Sequence, residues 1–522
     1  MKENVYIWWV IVQDLESERR TQGMKKYKFK HMARKAVAIA LAAAVAVTGV
    51  PGFPGGGTKA EAAEITDARV NELNEQYFKD KEYERVSEHD PSIVVGYINE
   101  KDYTGKEHVY GVQNDTKTRT KVYFTFGSHM AFAWSLDLQD WKLFENNINK
   151  NYNEIFKKNF EWSASGDSHY ATAGNMWAPD VIWDADYDNG DGKDKGAWLM
   201  YMSINGCSWN SSILLLVSDS LNGDWTPKGD IVYSGFNADT KSPYSYTKTN
   251  YEQYVELENG ALPSRFTRES YVCKDDGNDC EATTWNEFYG AHAIDPCITY
   301  NKEGNELWMS YGSWSGGIYM LEIDPATGLR KADRTYTYEA NKSDSYMGIK
   351  IAGGERISGE ASYIEYIGNK YYLFMSYGGF APTGSYNMRI FSSDNITGPY
   401  KDLKGNDARY TTYVENTTGT TGDRLMSYYK WSFLADGYTA QGHNSAFVDD
   451  GKSYVVYHNK KDDGTIEHEM RVHQLFVAEN EGLVAAPFEY SGETLNNSAY
   501  NDTYVTGEYG ILYMDPHIQM AM

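Results

Sequence analysis

Basic charge, cysteine, proline and long apolar runs are all scarce in this chain of 522 residues. Only Ala36 to Val50 forms an extended apolar stretch, which excludes a protein of many helical membrane spans. Lysine and arginine number 49 against 73 aspartates and glutamates, a formal charge of -24. Phosphate backbones and anionic membranes attract basic surfaces, so neither nucleic acid nor such a membrane is expected as a partner. Four cysteines are too few for a disulfide-built scaffold, and none has the CxxC spacing of a zinc site. With 13 prolines the chain is not a proline-rich repeat. Amphipathic helical periodicity is also missing after the first residues, where 64 to 88 reads as a helical or irregular lead-in.

What is abundant is aromatic. Tyrosine occurs 44 times and tryptophan 14 times, in short runs that suit β-strands, so the expected class is all-β and soluble. The N-terminus carries an address. Lys25, Lys26, Lys28, Lys30, Arg34 and Lys35 precede the apolar run, and Ala60-Glu61-Ala62 follows it. A basic region, an apolar stretch short for a bilayer and a small-residue site predict a secretory signal peptide, hence a secreted, extracellular protein. Met24 stands where such a leader begins. Cleavage after Ala62 would leave a mature charge of -29. Cys273 and Cys280 bracket a turn-forming loop that one disulfide could close, while Cys207 and Cys297 could pair or stay free.

From about residue 88 one pattern recurs five times: a turn, an aromatic strand, a small-residue break and a second strand. Lys121-Val-Tyr-Phe-Thr-Phe, Ala197-Trp-Leu-Met-Tyr-Met, Glu306-Leu-Trp-Met-Ser-Tyr, Lys370-Tyr-Tyr-Leu-Phe-Met and Lys452-Ser-Tyr-Val-Val-Tyr are its members. Five irregular meanders predict a five-bladed β-propeller, with a β-sandwich as the alternative. The resulting division is upstream residues and signal peptide at 1–62, the lead-in at 63–87, the propeller at 88–480 and a C-terminal tail at 481–522. That tail is too short for a core of its own, and reads as a remnant of an accessory β-domain or a closing strand. Stretches near 145 to 175, 234 to 290 and 401 to 440 read as rim loops.

In a propeller the first strand of every blade lines the central channel, so residues far apart in sequence converge there. An ionisable residue stands at the mouth of each first strand: Asp90, Asp180, Asp295, Glu360 and His443, beside proline or small residues. A turn-tying role suits Asp180 in Trp-Ala-Pro-Asp. Clustered carboxylates among aromatics suit glycosidic bond cleavage, in which one acid stays protonated near neutrality and another stays ionised. Glu360, between Gly359 and Ala361, is the candidate for the raised pKa, and a nearby Asp295 would supply the like charge.

These residues carry a specific resemblance. HDPSIV, MWAPDV, HAIDPCITY, GSWSGGIYML, SGEASYIEYIGNKYYLF and GHNSAFVDDGKSYVVYH are similar, in order from Ser87 to Phe476, to segments of glycoside hydrolase family 43, especially its endo-α-1,5-L-arabinanases. The resemblance implies that Asp90 is the general base, Glu360 the general acid and Asp295 the residue that raises and orients that acid. It implies that His443 holds one calcium ion in the channel. It places Gly206, His292, Ala293, Ile294, Asp295, Ser313, Trp314 and Ser315 along the substrate site, with Trp177 a stacking candidate. It further implies inversion, which requires base and acid about 6.5–9.5 Å apart, and arabinan or arabino-oligosaccharides as substrate; a monomer is expected. His292 stands where relatives often have asparagine, and 234 to 290 reads as an insertion. An exo-acting β-xylosidase or α-L-arabinofuranosidase of the same fold, and a non-catalytic carbohydrate-binding propeller, are the competing readings.

Overall fold

Short β-branched and aromatic runs bounded by glycine and asparagine turns fold back on themselves as antiparallel meanders. The computed structural model describes residues 84–492, apart from 112–118, 165–171, 191–194, 207–208, 274–279, 355–358, 385, 411–420, 430–436 and 487. The expected signal peptide and most of the lead-in and tail lie outside the described residues. Five small sheets make the five blades of a β-propeller. Their inner strands are Ser92–Ile98, Met176–Asp184, Cys297–Tyr300, Glu360–Ile367 and Tyr438–Asp449, for blades I to V. Each inner strand pairs antiparallel with the next strand in the chain.

A blade packed between two others is buried on both faces, so its middle strands are apolar throughout rather than alternating. Ala197–Ile204 and Ser212–Ser218 of blade II are buried at every position. Apolar clusters fill every junction. Phe124 and Phe126 meet Met200 and Met202 between blades I and II, and Leu199 and Leu215 join Met309 and Leu321 between II and III. Met320 packs with Leu373 and Met375 between III and IV, and Phe374 with Val455 and Tyr457 between IV and V. The ring closes where Val456 and Val472 of blade V meet Ile93 and Ala133 of blade I.

Polar contacts reinforce that last junction. Asp449 of blade V accepts from Lys121 Nζ at 2.6 Å and from Tyr123 OH at 2.8 Å on blade I. The chain before blade I threads across the outside of blade V, where Val86 O accepts from Met470 N at 3.2 Å. Arg85 forks onto Glu489 at 2.6 and 2.7 Å, and Arg471 reaches the same carboxylate at 2.9 Å. The outermost strand of blade V is Leu483–Ala485, just beyond residue 480.

All three stretches read as plain loops are partly regular, and 401 to 440 holds the outer strand of blade IV, Asp423–Met426. Helices span Asn147–Ile155 and Lys157–Ala164. Asn146 caps the first by accepting from Ile148 N, while the Asn149 side chain accepts from Asn146 N. Ile148, Tyr152 and Ile155 form its apolar stripe, which the surrounding asparagines and lysines obscure in sequence. The 234 to 290 stretch holds a helical turn, Tyr251–Tyr254, and a two-stranded ladder, Thr267–Cys273 with Cys280–Trp285. Cys273 and Cys280 face each other in its backbone register; their side chains, and Cys207, lie outside the described residues. Cys297 is a buried free thiol. No helix among the described residues is long and apolar enough to cross a membrane.

Candidate active site

Every blade has a strained residue at the channel end of its inner strand, and blade V has a second, Ala440, with φ 56°. Asp90, Ala178, Asp295, Ala361 and His443 have φ of 58, 41, 53, 57 and 46°. Side chains other than glycine rarely adopt this left-handed region, at a cost of about 1–3 kcal/mol each. The strand ladders slip at the same place in blades II, IV and V. A bulge of this kind breaks the pleat and re-aims the adjacent side chains. The equivalence read from sequence is corrected here. Asp90, Asp295 and His443 hold matching places, but Asp180 lies two residues past that place and Glu360 one before it. Ala178 and Ala361 occupy the matching positions, because the slip, not the motif, sets the register.

Residues from all five blades line one small cavity, among them Asp90, Asp295, Ala361, His443 and, beside it, Asn444. Asp90 Oδ1 lies 2.6 Å from His89 Nδ1 and 2.9 Å from His443 Nδ1, while Oδ2 accepts from Ser128 Oγ at 2.5 Å. Burial pushes this carboxyl up, but the His443 and His89 imidazoles outweigh it and hold Asp90 well below the usual range. The His89 ring stacks on His458 at 3.8 Å, and Asp90 N donates to His458 Nδ1 at 3.3 Å. Asp90 is thus an ionised, almost buried acceptor with its orientation fixed on several sides.

The other two acids behave oppositely. Glu360 Oε1 accepts from Tyr386 OH at 2.8 Å and Oε2 from Ser313 Oγ at 3.3 Å. Asp295 Oδ2 accepts from Ala361 N at 3.2 Å, directly after Glu360 in the chain. Burial, opposed by the His443 charge and aided by Glu360 and Asp90, pushes Asp295 up to about 7. Burial also raises Glu360, and the Asp90 charge adds to it. Two such neighbours titrate as a pair, each disfavouring the charge of the other. For His443 burial opposes the cation, yet the charges of Asp90, Asp295 and Glu360 raise it to about 9.

Asp180 does more than tie its own turn. Its carboxylate accepts from Ser92 Oγ of blade I and, at 2.7 Å, from Ile298 N of blade III, joining three blades. Burial pushes it up to about 7.

Among the residues expected along the substrate site, Trp177 and Trp314 are partly exposed, whereas His292, Ala293, Ile294, Ser313 and Ser315 are buried. Trp177 Nε1 donates to Gly174 O at 2.6 Å. A Cβ on Gly206 would lie 2.2 Å from Ser163 O, so only glycine fits there. His292 Nε2 bonds Ser211 Oγ at 2.8 Å, its ring meets the edge of Trp209 at 5.2 Å, and burial lowers it to about 3. It is a neutral support behind Trp209. Sequence reasoning missed Trp209, His89, His458, Ser128 and Tyr386. His89 adjoins Asp90 in the HDP motif and could have been found; nothing local marks the others. Phe380 was also missed: 55% exposed, it lies 5.8 Å from the His89 ring and under Lys460 Nζ at 4.8 Å.

The profile of Glycosyl hydrolases family 43 matches residues 272–483. Over 405 residues the chain is 31% identical to the extracellular endo-α-(1→5)-L-arabinanase of Thermotoga petrophila, covering 74% of this chain and 72% of that protein. The chain belongs to glycosyl hydrolase family 43. This family 43 chain is also 29% identical over 458 residues to extracellular endo-α-(1→5)-L-arabinanase 2 of Bacillus subtilis, covering 84% of itself and 78% of the relative. Among solved structures, the endo-1,5-α-L-arabinanase of Thermotoga petrophila RKU-1 matches with a TM-score of 0.58 at 29% identity, over 81% and 79% of the two chains.

Proposed function

We propose that this family 43 chain is a secreted, monomeric hydrolase that cleaves internal α-1,5 bonds of L-arabinan with inversion. One observation carries the reading: in a single channel Asp90 is held ionised while Asp295 and Glu360 are pushed toward protonation. Acids whose environments separate their titrations this way are the acid and base of glycoside cleavage. Asp90 takes a proton from water as the water oxygen bonds to the anomeric carbon. The bond from that carbon to the leaving oxygen breaks, and the leaving oxygen takes the proton of Glu360. The like charge of neighbouring Asp295 disfavours early loss of that proton. Proton exchange with solvent then restores both carboxyls. Arabinan as substrate, and action outside the cell, rest on the relatives being named extracellular arabinanases.

The calcium implied by the resemblance is consistent with the donors present. Among the described residues Asn444 Oδ1 and Nδ2 are buried without a hydrogen-bond partner, and Asn444 lines the same cavity as Asp90 and Asp295. His443 Nδ1 lies 2.9 Å from Asp90, and in the neutral imidazole that a metal requires the other ring nitrogen would be the ligand. His443, the Asn444 oxygen and waters would hold the ion, since calcium favours oxygen donors. When bound, it supplies fixed positive charge beside the carboxylates.

Incubation with linear α-1,5-arabinan tests the reading. Mixed-length oligosaccharides are expected early. Arabinose alone would indicate exo action, and no product from folded protein would indicate a binding module. Chelation should lower the melting temperature and added calcium restore it; no change with chelator removes the ion from the account.

A further inference from the structure

The acid has two oxygens, and the hydrogen-bond chain behind it treats them differently. It starts at a backbone amide, which can only donate: His443 N gives its proton to Ser376 Oγ at 2.8 Å. Ser376 therefore has its own hydroxyl proton to place elsewhere, and its side chain is hydrogen-bonded to Tyr386. With its oxygen accepting from Ser376, Tyr386 places its single proton on Glu360 Oε1 at 2.8 Å. Each link has one proton to give, so the amide fixes the direction of the whole chain.

The ring carrying this phenol has little freedom. Tyr386 is 1% exposed and lies nearly parallel to His458 at 6.1 Å. A Cβ at Gly442 would sit 2.1 Å from Tyr386 Cε1, so the ring occupies the space that the glycine leaves. On the other oxygen, Glu360 Oε2 has, among the described residues, the longer contact from Ser313 Oγ, at 3.3 Å. We propose that Tyr386 is a positioning residue that reserves Oε1 of Glu360 as an acceptor, so that Oε2 carries the proton delivered to the leaving oxygen. Ser376 and the His443 amide hold Tyr386 in that sense. The inference rests on Glu360 being the general acid.

A role in aiming a proton shows itself only where the leaving group needs one. The test compares linear arabinan with an aryl α-1,5-arabinotrioside whose nitrophenolate leaves without protonation. Tyr386→Phe keeps the ring and removes the donor. Its kcat on arabinan should fall about tenfold with KM within twofold, while kcat on the aryl substrate stays within about twofold. Ser376→Ala should give the same pattern, weaker. Equal losses on both substrates, or no loss on arabinan, would overturn the proposal. Glu360→Gln run alongside separates the two claims. If it loses arabinan turnover and keeps the aryl substrate while Tyr386→Phe matches the native protein, only the role of Tyr386 falls. If Glu360→Gln keeps arabinan turnover, the acid assignment falls with it.

Discussion

Asp90 and Asp180 make an instructive pair. Both are buried carboxylates beside a proline, at the mouths of neighbouring inner strands, and both line one cavity. Asp90 is held well below the ordinary range, whereas Asp180 is pushed up to about 7. Burial acts the same way on each. The difference lies in the partners: two imidazoles face Asp90, whereas Asp180 accepts from uncharged groups, among them a serine hydroxyl and a backbone amide. Desolvation disfavours charge, and a neighbouring cation reverses the outcome. The same kind of residue in the same fold is thus held ionised in one blade and pushed toward protonation, as a tie between blades, in the next.

The largest expected effect tests that division directly. Asp90→Asn should lower turnover of linear arabinan about 10³-fold, within the range for losing a general base. Asp180→Asn should keep turnover within about threefold, because Ser92 can reverse its hydroxyl and preserve both bonds, costing about 1 kcal/mol of stability. Initial rates and thermal melts of both variants check this; similar activity losses in the two would erase the contrast. Asp295→Asn comes next. Removing a like charge lowers the pKa of Glu360, so the alkaline limb of kcat/KM should move about one unit to lower pH. A limb that stays in place refutes the coupling. Smallest is His89→Gln, which makes Asp90 more like Asp180. Losing one of two imidazoles raises the pKa of Asp90, so the acid limb should move up by about one unit. A fixed or lowered acid limb would show that His89 does not hold the base ionised.

The blades were legible because aromatic strands and turns repeat, and repetition is a property of sequence alone. Asp90, Asp295 and Glu360 were legible as candidates because they stand at matching punctuation in that repeat. Their exact register was not: strand slips at Ala178, Ala361 and His443 depend on positive φ, which no motif announces outside glycine. The helices at 147–164 were hidden by asparagine and lysine around a three-residue apolar stripe. Ser128, Tyr386 and His458 were invisible for a different reason. Each acts through contacts with residues tens to hundreds of positions away, 38 for Ser128 on Asp90 and 26 for Tyr386 on Glu360.

The anomeric form of the first product is the most direct check on the two-carboxyl account. Linear α-1,5-arabinan is hydrolysed in an NMR tube and the new reducing ends are followed before mutarotation. Water activated by Asp90 on the face opposite Glu360 gives the β-anomer first, with α appearing later as the sugar equilibrates. Early α-anomer would mean net retention, and would contradict a mechanism in which Asp90 activates water in a single displacement.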